Sequence, residues 1–152
     1  MADQARVLIV EARFYEEYAD HLKKGAIQVL EKAGVAYDVL DVPGVFEIPA
    51  AIQFAVRAMN HGNSPHYDGF VALGCVIRGE TTHYDYVCVE SARALMNLSV
   101  SPGIALGYGI VTVENDEQAE ARARVDRKDK GGVAALACLR MMQVKKSFGL
   151  AG

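Results

Sequence analysis

The sequence predicts an α/β protein: a three-layer α/β/α sandwich around a four-stranded, mainly parallel sheet. Two observations predict it. Short apolar runs alternate with longer stretches in which apolar residues recur at helical spacing, giving the order βαβαβαβαα. The first and third runs are apolar without alternation, as central strands are when helices cover both faces of a parallel sheet. At 152 residues the chain predicts one domain, residues 1–152, large enough to bury a core without staples.

The elements follow in order. Arg6–Glu11 reads as a buried strand. Tyr18, Leu22, Ala26, Val29, Leu30 and Ala33 trace a helix that Gly34 stops. Val35–Val42 alternates as a second strand and ends at Pro43-Gly44. Pro49 suits the first turn of a helix, where its missing N–H costs nothing, and Ile52, Ala55, Val56 and Met59 carry that helix to Asn60 and Gly62. Asp68–Val76 is a third, buried strand, His83–Ser99 a helix and Ile104–Val111 a fourth strand. Asn115 with Gln118 three residues later forms a capping-box pattern opening a short helix to about Arg124. From Lys130, the residues Val133, Ala137, Met141, Val144 and Phe148 trace one face of a last helix. The whole predicts flavodoxin-like topology.

Composition narrows the function. Hydrophobic residues make up 51% and charged residues 23%, a globular balance whose slight apolar excess suits subunit contacts. The net charge of −3 argues against nucleic acid or an anionic membrane as partner. Cys75, Cys88 and Cys138 fit no metal or CxxC spacing and read as buried structural thiols in a reducing cytoplasm. The polar stretch Met1–Arg6 lacks a signal-like apolar run, and no segment approaches the length of a membrane span.

In open α/β sheets, ligands bind outside the carboxyl ends of the strands. That rule selects Ala12–Tyr15, Pro43–Glu47, Arg78–His83 and Tyr108–Asn115. The third segment, Arg78-Gly79-Glu80-Thr81-Thr82-His83, runs into a helix start, where unpaired N–H groups and a partial positive charge favour an anion. The alternative is an ordinary helix start capped by Thr82. His83 suits proton exchange near neutral pH, or is simply an exposed or packed side chain. With Asp85 it suggests a metal pair, but the sequence offers no third ligand, so no metal is expected. Phe14 is placed to stack on a planar heterocycle or to plug the core. Arg13 beside it reads as a positioning or ion-pair residue. Glu47 either favours the next helix or accepts hydrogen bonds from ligand hydroxyls. Arg122 has the shape to clamp a phosphate, with a solvated surface residue as its alternative. These residues alone define an α/β domain with a candidate anion site.

Four blocks together are more specific. Cys75-Val76-Ile77-Arg78 followed by Gly79–Val87 (GETTHYDYV) closely resembles the signature of the lumazine synthase family. Pro43–Pro49 (PGVFEIP) resembles a second family block, Thr112–Asn115 with Gln118-Ala119 and Arg122-Ala123 a third, and Lys130-Gly131 the opening of the family's last helix. The blocks stand in the family's order from the first strand to the last helix.

The resemblance implies a reaction and a set of roles. 5-Amino-6-(D-ribitylamino)uracil condenses with 3,4-dihydroxy-2-butanone 4-phosphate to give 6,7-dimethyl-8-ribityllumazine, phosphate and water, with no cofactor or metal. Phe14 stacks on the pyrimidine. Val45, Phe46 and Glu47 line the ribityl chain. Val76 and Ile77 offer backbone groups to the uracil edge. Gly79, Glu80 and Thr81 offer N–H groups to the phosphate, and Arg122 the matching charge. His83 transfers protons. Tyr108 matches an aromatic position supplied by a neighbouring subunit, and Lys130 another near the shared pocket. The resemblance also implies a cytoplasmic homopentamer with active sites between subunits, whose product passes to riboflavin synthase.

The chain departs from the family pattern in two places. Ala12-Arg13-Phe14-Tyr15 stands where the family commonly has Ser-Arg-Phe-Asn, so a phenol replaces a small polar pocket residue. Arg124–Asp129 replaces a Gly-containing turn that influences capsid closure, which favours free pentamers. Outside enzymes, a flavin- or lumazine-binding module would use the same ring platform without turnover, and a cage-forming structural protein would not need the pocket residues. A flavodoxin-like carrier would want a Ser/Thr/Gly-rich loop after the first strand, where this chain has Glu11–Tyr15.

Overall fold

Apolar runs short enough for strands and long amphipathic stretches between them leave the chain one economical arrangement, a parallel sheet with crossover helices on both faces. The computed structural model, which describes residues 4–150, has that arrangement; residues 1–3 of the polar leading stretch lie outside it. The elements are β1 (Arg6–Ala12), α1 (Glu16–Lys32), β2 (Ala36–Val42), a 3-10 turn at Val45–Glu47, α2 (Ile48–Asn60), β3 (Gly69–Ile77), α3 (His83–Val100), β4 (Leu106–Val113), α4 (Asp116–Ala123) and α5 (Lys130–Ser147). The sheet order is β2-β1-β3-β4 and every pairing is parallel. The expected flavodoxin-like topology is therefore present, with β1 and β3 central.

The core divides by the pleat. Val7, Ile9, Val71, Leu73, Val111 and Val113 face α1, α4 and α5, while Leu8, Val10, Phe70, Ala72 and Ile110 face α2 and α3. Gly34 closes α1 with φ of +71°, a left-handed conformation that glycine enters without a Cβ penalty. Asn115 caps α4 by accepting from Gln118 N–H at 2.9 Å, and Gln118 Oε1 accepts from Glu114 N–H at 2.9 Å. The capping pattern is thus present, with its return bond one residue earlier than in the usual box.

Three expectations need correction. Strand β4 begins and ends two residues later than expected, because Ile104 and Ala105 belong to the turn after α3 despite their apolar side chains. Helix α5 does not turn the stripe from Val133 to Phe148 inward. Its buried residues are Gly131, Gly132, Ala134, Ala135 and Cys138, while Val133, Met141 and Phe148 are exposed. The helix is apolar on most sides, so periodicity did not distinguish its faces. Close approach did: a Cβ on Gly107 of β4 would meet the Ala134 carbonyl oxygen at 2.0 Å, so the small-residue face docks on the sheet. Finally, Cys75 and Cys138 are buried as expected, but Cys88 is only half-buried.

Candidate functional site

At the switch point between β1 and β3 the chain leaves the sheet in opposite directions, and the strand ends splay to leave a crevice. A cavity of about 420 Å³ occupies this place. Three of the four segments expected at the strand ends converge there. β1 delivers Phe14, the turn after β2 delivers Val45, Phe46 and Glu47, and β3 with the following loop delivers Val76, Ile77, Gly79, Thr81 and His83. Glu80 is exposed in the same loop but is not part of the cavity wall.

Each wall has a local cause. Phe14 follows β1 directly, is 76% exposed, and touches Tyr15 edge-on with ring centroids 4.9 Å apart. Its face is therefore free for a planar ligand. The 3-10 turn sits on the sheet because β3 carries Gly74 beneath it, where a Cβ would come within 2.6 Å of Val45 Cγ2. Val45 is buried as the anchor, which turns Phe46 and Glu47 outward, both exposed.

The loop from Gly79 to His83 is built for an acceptor. Thr82 occupies the N-cap position of α3, but its side chain caps nothing, contrary to the capping alternative. Thr81 Oγ1 instead accepts a weak bond from His83 N–H at 3.3 Å. Among the described residues, the N–H groups of Gly79, Glu80, Thr81 and Thr82 donate to no protein acceptor. Helix α3 adds its partial positive charge at the same point.

Arg78, at the head of the loop, does not supply a free cation. Its Nε donates to Glu114 at 2.6 Å, its Nη1 approaches Asp85 at 3.4 Å, and its guanidinium lies 4.3 Å from the Tyr84 ring centroid. These contacts fasten the loop to α3 and to the end of β4. Among the described residues, no Lys or Arg lines the cavity.

The fourth segment stays outside. Tyr108 pairs with Ala72 in mid-strand, five residues before Val113 at the end of β4, roughly 16 Å at strand rise. Arg122, on α4, is partly buried, donates to the Gln118 carbonyl at 3.2 Å and has no carboxylate partner among the described residues. Lys130 is exposed at the start of α5. None of the three lines this chain's own cavity.

Tyr15 lines it, as its place in the pocket block implied, and Cys75, Tyr84 and Val87 line it without having been expected as ligand contacts. Burial, and then the neighbouring Cys75 and Asp116, push the Tyr15 phenol up, so it stays a neutral donor. Burial pushes the Cys75 thiol up to about 12, which makes it an inert wall rather than a nucleophile. Tyr84 and Val87 were legible as the helical neighbours of His83, one and four positions on. Among the described residues, no group of three His, Cys, Asp or Glu side chains is placed to hold a metal ion.

Fold and cavity define a doubly wound α/β protein whose crevice brings together an exposed aromatic ring, a carboxylate and a loop of N–H groups with no protein acceptor among the described residues. The family profile of 6,7-dimethyl-8-ribityllumazine synthase matches residues 4–146. The chain is 58% identical over 143 residues to 6,7-dimethyl-8-ribityllumazine synthase 1 of Rhizobium meliloti (strain 1021), covering 94% of this chain and 93% of the relative. It is 56% identical to the synthase of Bartonella tribocorum (strain CIP 105476 / IBS 506), over 98% and 95% of the two chains. It is 58% identical to that of Agrobacterium fabrum (strain C58 / ATCC 33970), over 94% and 96%. The chain belongs to the 6,7-dimethyl-8-ribityllumazine synthase family, transferases of riboflavin biosynthesis. No helix among the described residues is long and apolar enough to cross a membrane.

Proposed function

We propose that this crevice condenses 5-amino-6-(D-ribitylamino)uracil with 3,4-dihydroxy-2-butanone 4-phosphate to give 6,7-dimethyl-8-ribityllumazine. The observation that carries the reading is the convergence of three kinds of group on one cavity. An exposed ring, a carboxylate and loop amides with no protein acceptor among the described residues meet there, as a pyrimidine, a ribityl chain and a phosphate would require.

Phe14 stacks on the pyrimidine ring, and the backbone of Val76 and Ile77 reads its amide edge. Val45 and Phe46 pack along the ribityl chain while Glu47 accepts from its hydroxyls. Gly79, Glu80 and Thr81 donate N–H bonds to the phosphate. With both partners held, the pyrimidine's 5-amino group attacks the ketone carbonyl, and water leaves to form an imine. Phosphate then leaves as a proton is removed from the neighbouring carbon. The ribityl-bearing amine closes the ring with loss of a second water. His83, at the mouth of the anion seat, moves protons in these steps. Holding two reactants in register supplies much of the acceleration.

A dianionic substrate in a cavity that no Lys or Arg among the described residues lines calls for a cation from elsewhere. Tyr108, Arg122 and Lys130 serve the cavity of a neighbouring copy, so the active unit is a homopentamer with sites between subunits. The exposed Phe54, Met96, Val100 and Leu136 supply apolar surface for such contacts. The turn at Arg124–Asp129 favours pentamers that do not close into capsids. Three free cysteines, two of them buried, suit a cytoplasmic setting, where riboflavin synthase consumes the product. The whole chain, 1–152, acts as one domain, without metal or cofactor.

The deciding measurement mixes purified protein with both substrates and follows lumazine fluorescence against the uncatalysed background. An enzyme-dependent rate that collapses in Arg122→Ala is expected. Tight lumazine binding without rate enhancement would instead make the protein a binding module.

A further inference from the structure

Glu11 is buried in β1, 2% exposed, and lines no part of the cavity. Its two oxygens take Arg13 Nη1 at 2.9 Å and Lys23 Nζ at 3.3 Å. The second terminal nitrogen of Arg13 reaches Asp20 at 2.6 Å. Two carboxylates and two cations thus form one network, and they bracket Phe14 in sequence: Glu11 and Arg13 lie before it, Asp20 and Lys23 after it on α1.

The bracket matters because the usual fastening is missing. Helix α1 starts with Tyr15 in the N-cap position, and Tyr15 makes no side-chain cap. The Phe14 ring is 76% exposed and meets Tyr15 edge-on. A buried carboxylate needs partners held in good geometry, because taking it out of water is costly. Here those partners are the residue immediately before the ring and the second turn of the helix after it. Satisfying Glu11 therefore fixes the strand-to-helix turn from both sides.

We infer that Glu11, Arg13 and Asp20 are positioning residues that hold the Phe14 platform at the angle a pyrimidine needs. The inference rests on the stacking role proposed for Phe14. A platform that contacts the ring equally before and during reaction contributes uniform binding, so its loosening raises KM and leaves kcat alone. None of the network's ion pairs reaches the loop from Gly79 to His83.

The test uses the full-length protein and, as probe, the ribitylaminouracil alone, titrated by calorimetry, with steady-state kinetics alongside. Arg13→Gln is expected to weaken pyrimidine binding and raise its KM by about tenfold, since small misplacements of a positioning group have effects of this order. The KM for butanone phosphate and kcat should stay within about twofold. Arg13→Lys keeps the charge and should recover part of the loss. In a Phe14→Ala background, Arg13→Gln should add little, because its effect runs through that ring. Asp20→Asn, at the exposed end of the network, provides a folded variant if the buried changes unfold the chain, and should show a smaller loss of the same kind. Unchanged pyrimidine affinity in folded Arg13→Gln and Asp20→Asn, or full additivity with Phe14→Ala, would overturn the inference. A wild-type chain that fails to bind the pyrimidine would instead remove the proposed function beneath it.

Discussion

Val45 Cγ2 rests on the bare backbone of Gly74, at a place where a Cβ on that glycine would lie 2.6 Å away. The contact couples the middle of the sheet to the turn that presents Phe46 and Glu47. Gly74→Ala should therefore lift the turn rather than open a hole. Overpacking of this kind costs about 1–3 kcal/mol. For a chain of this size that is a fall of roughly 2–4 °C in Tm per kcal/mol. Pyrimidine KM should rise with it. Shortening the partner in Gly74→Ala/Val45→Ala should recover part of both, which thermal unfolding and kinetics on wild type, the two single variants and the double variant will show.

Arg122 has no carboxylate partner among the described residues and lies outside its own chain's cavity. Arg122→Ala should weaken the phosphate substrate by about ten- to a hundredfold, the loss of a charge-assisted contact worth ~1.5–3 kcal/mol. Pyrimidine affinity should change little. Equal losses for both substrates would contradict the assignment. Co-expression with His83→Ala gives a sharper check. If sites form between copies, mixed assemblies contain some sites with both residues intact, about a quarter at random assortment in a ring. Activity should therefore reappear in the mixture of two defective chains. If each site is built from one chain, it will not.

His83 starts α3, exposed, on the cavity wall. As a proton carrier it should be worth up to ~10²-fold in rate, the low end for general acid–base catalysis. His83→Ala should slow single turnovers by that order while leaving pyrimidine affinity near wild type. Single-turnover rates unchanged across pH would take His83 out of the chemistry.

Much of this site was legible because its signals are local. Strand mouths follow apolar runs, so the sequence alone places Phe14, the turn at Val45–Glu47 and the loop at Gly79–His83. What was not legible depends on packing. Periodicity picked the wrong face of α5 because every position from Gly131 to Leu139 is apolar or small, and the choice fell to the close approach of Ala134 to Gly107. The segment from Tyr108 was expected at a strand mouth, but β4 runs on to Val113, and strand length is set by its pairing with β3. The Glu11 network was half visible. Arg13 read as an ion-pair residue, yet its partners are Glu11 and Asp20, and only the turn into α1 brings those two together.

Alkaline pH should test the core independently of the site. Burial pushes the Cys75 and Cys138 thiols up to about 12, from an ordinary value of 9.0. Burial, and then the hydrogen bond to Asp38, push the Tyr67 phenol up to about 12 from 10.0. In each case the folded chain keeps its proton after the unfolded chain has lost it. Between pH 9.0 and about 12 the unfolded state therefore binds fewer protons, and stability falls as pH rises. Well below pH 9.0 these thiols contribute no slope. Each proton fully displaced steepens the fall by about 1.4 kcal/mol per pH unit. Cys138→Ala should lower stability at neutral pH by leaving a small gap, yet flatten the decline above pH 9.0 by up to one proton. Denaturant midpoints measured from pH 8 to 11 on both proteins will separate the two effects; parallel curves would mean that Cys138 does not carry the linkage.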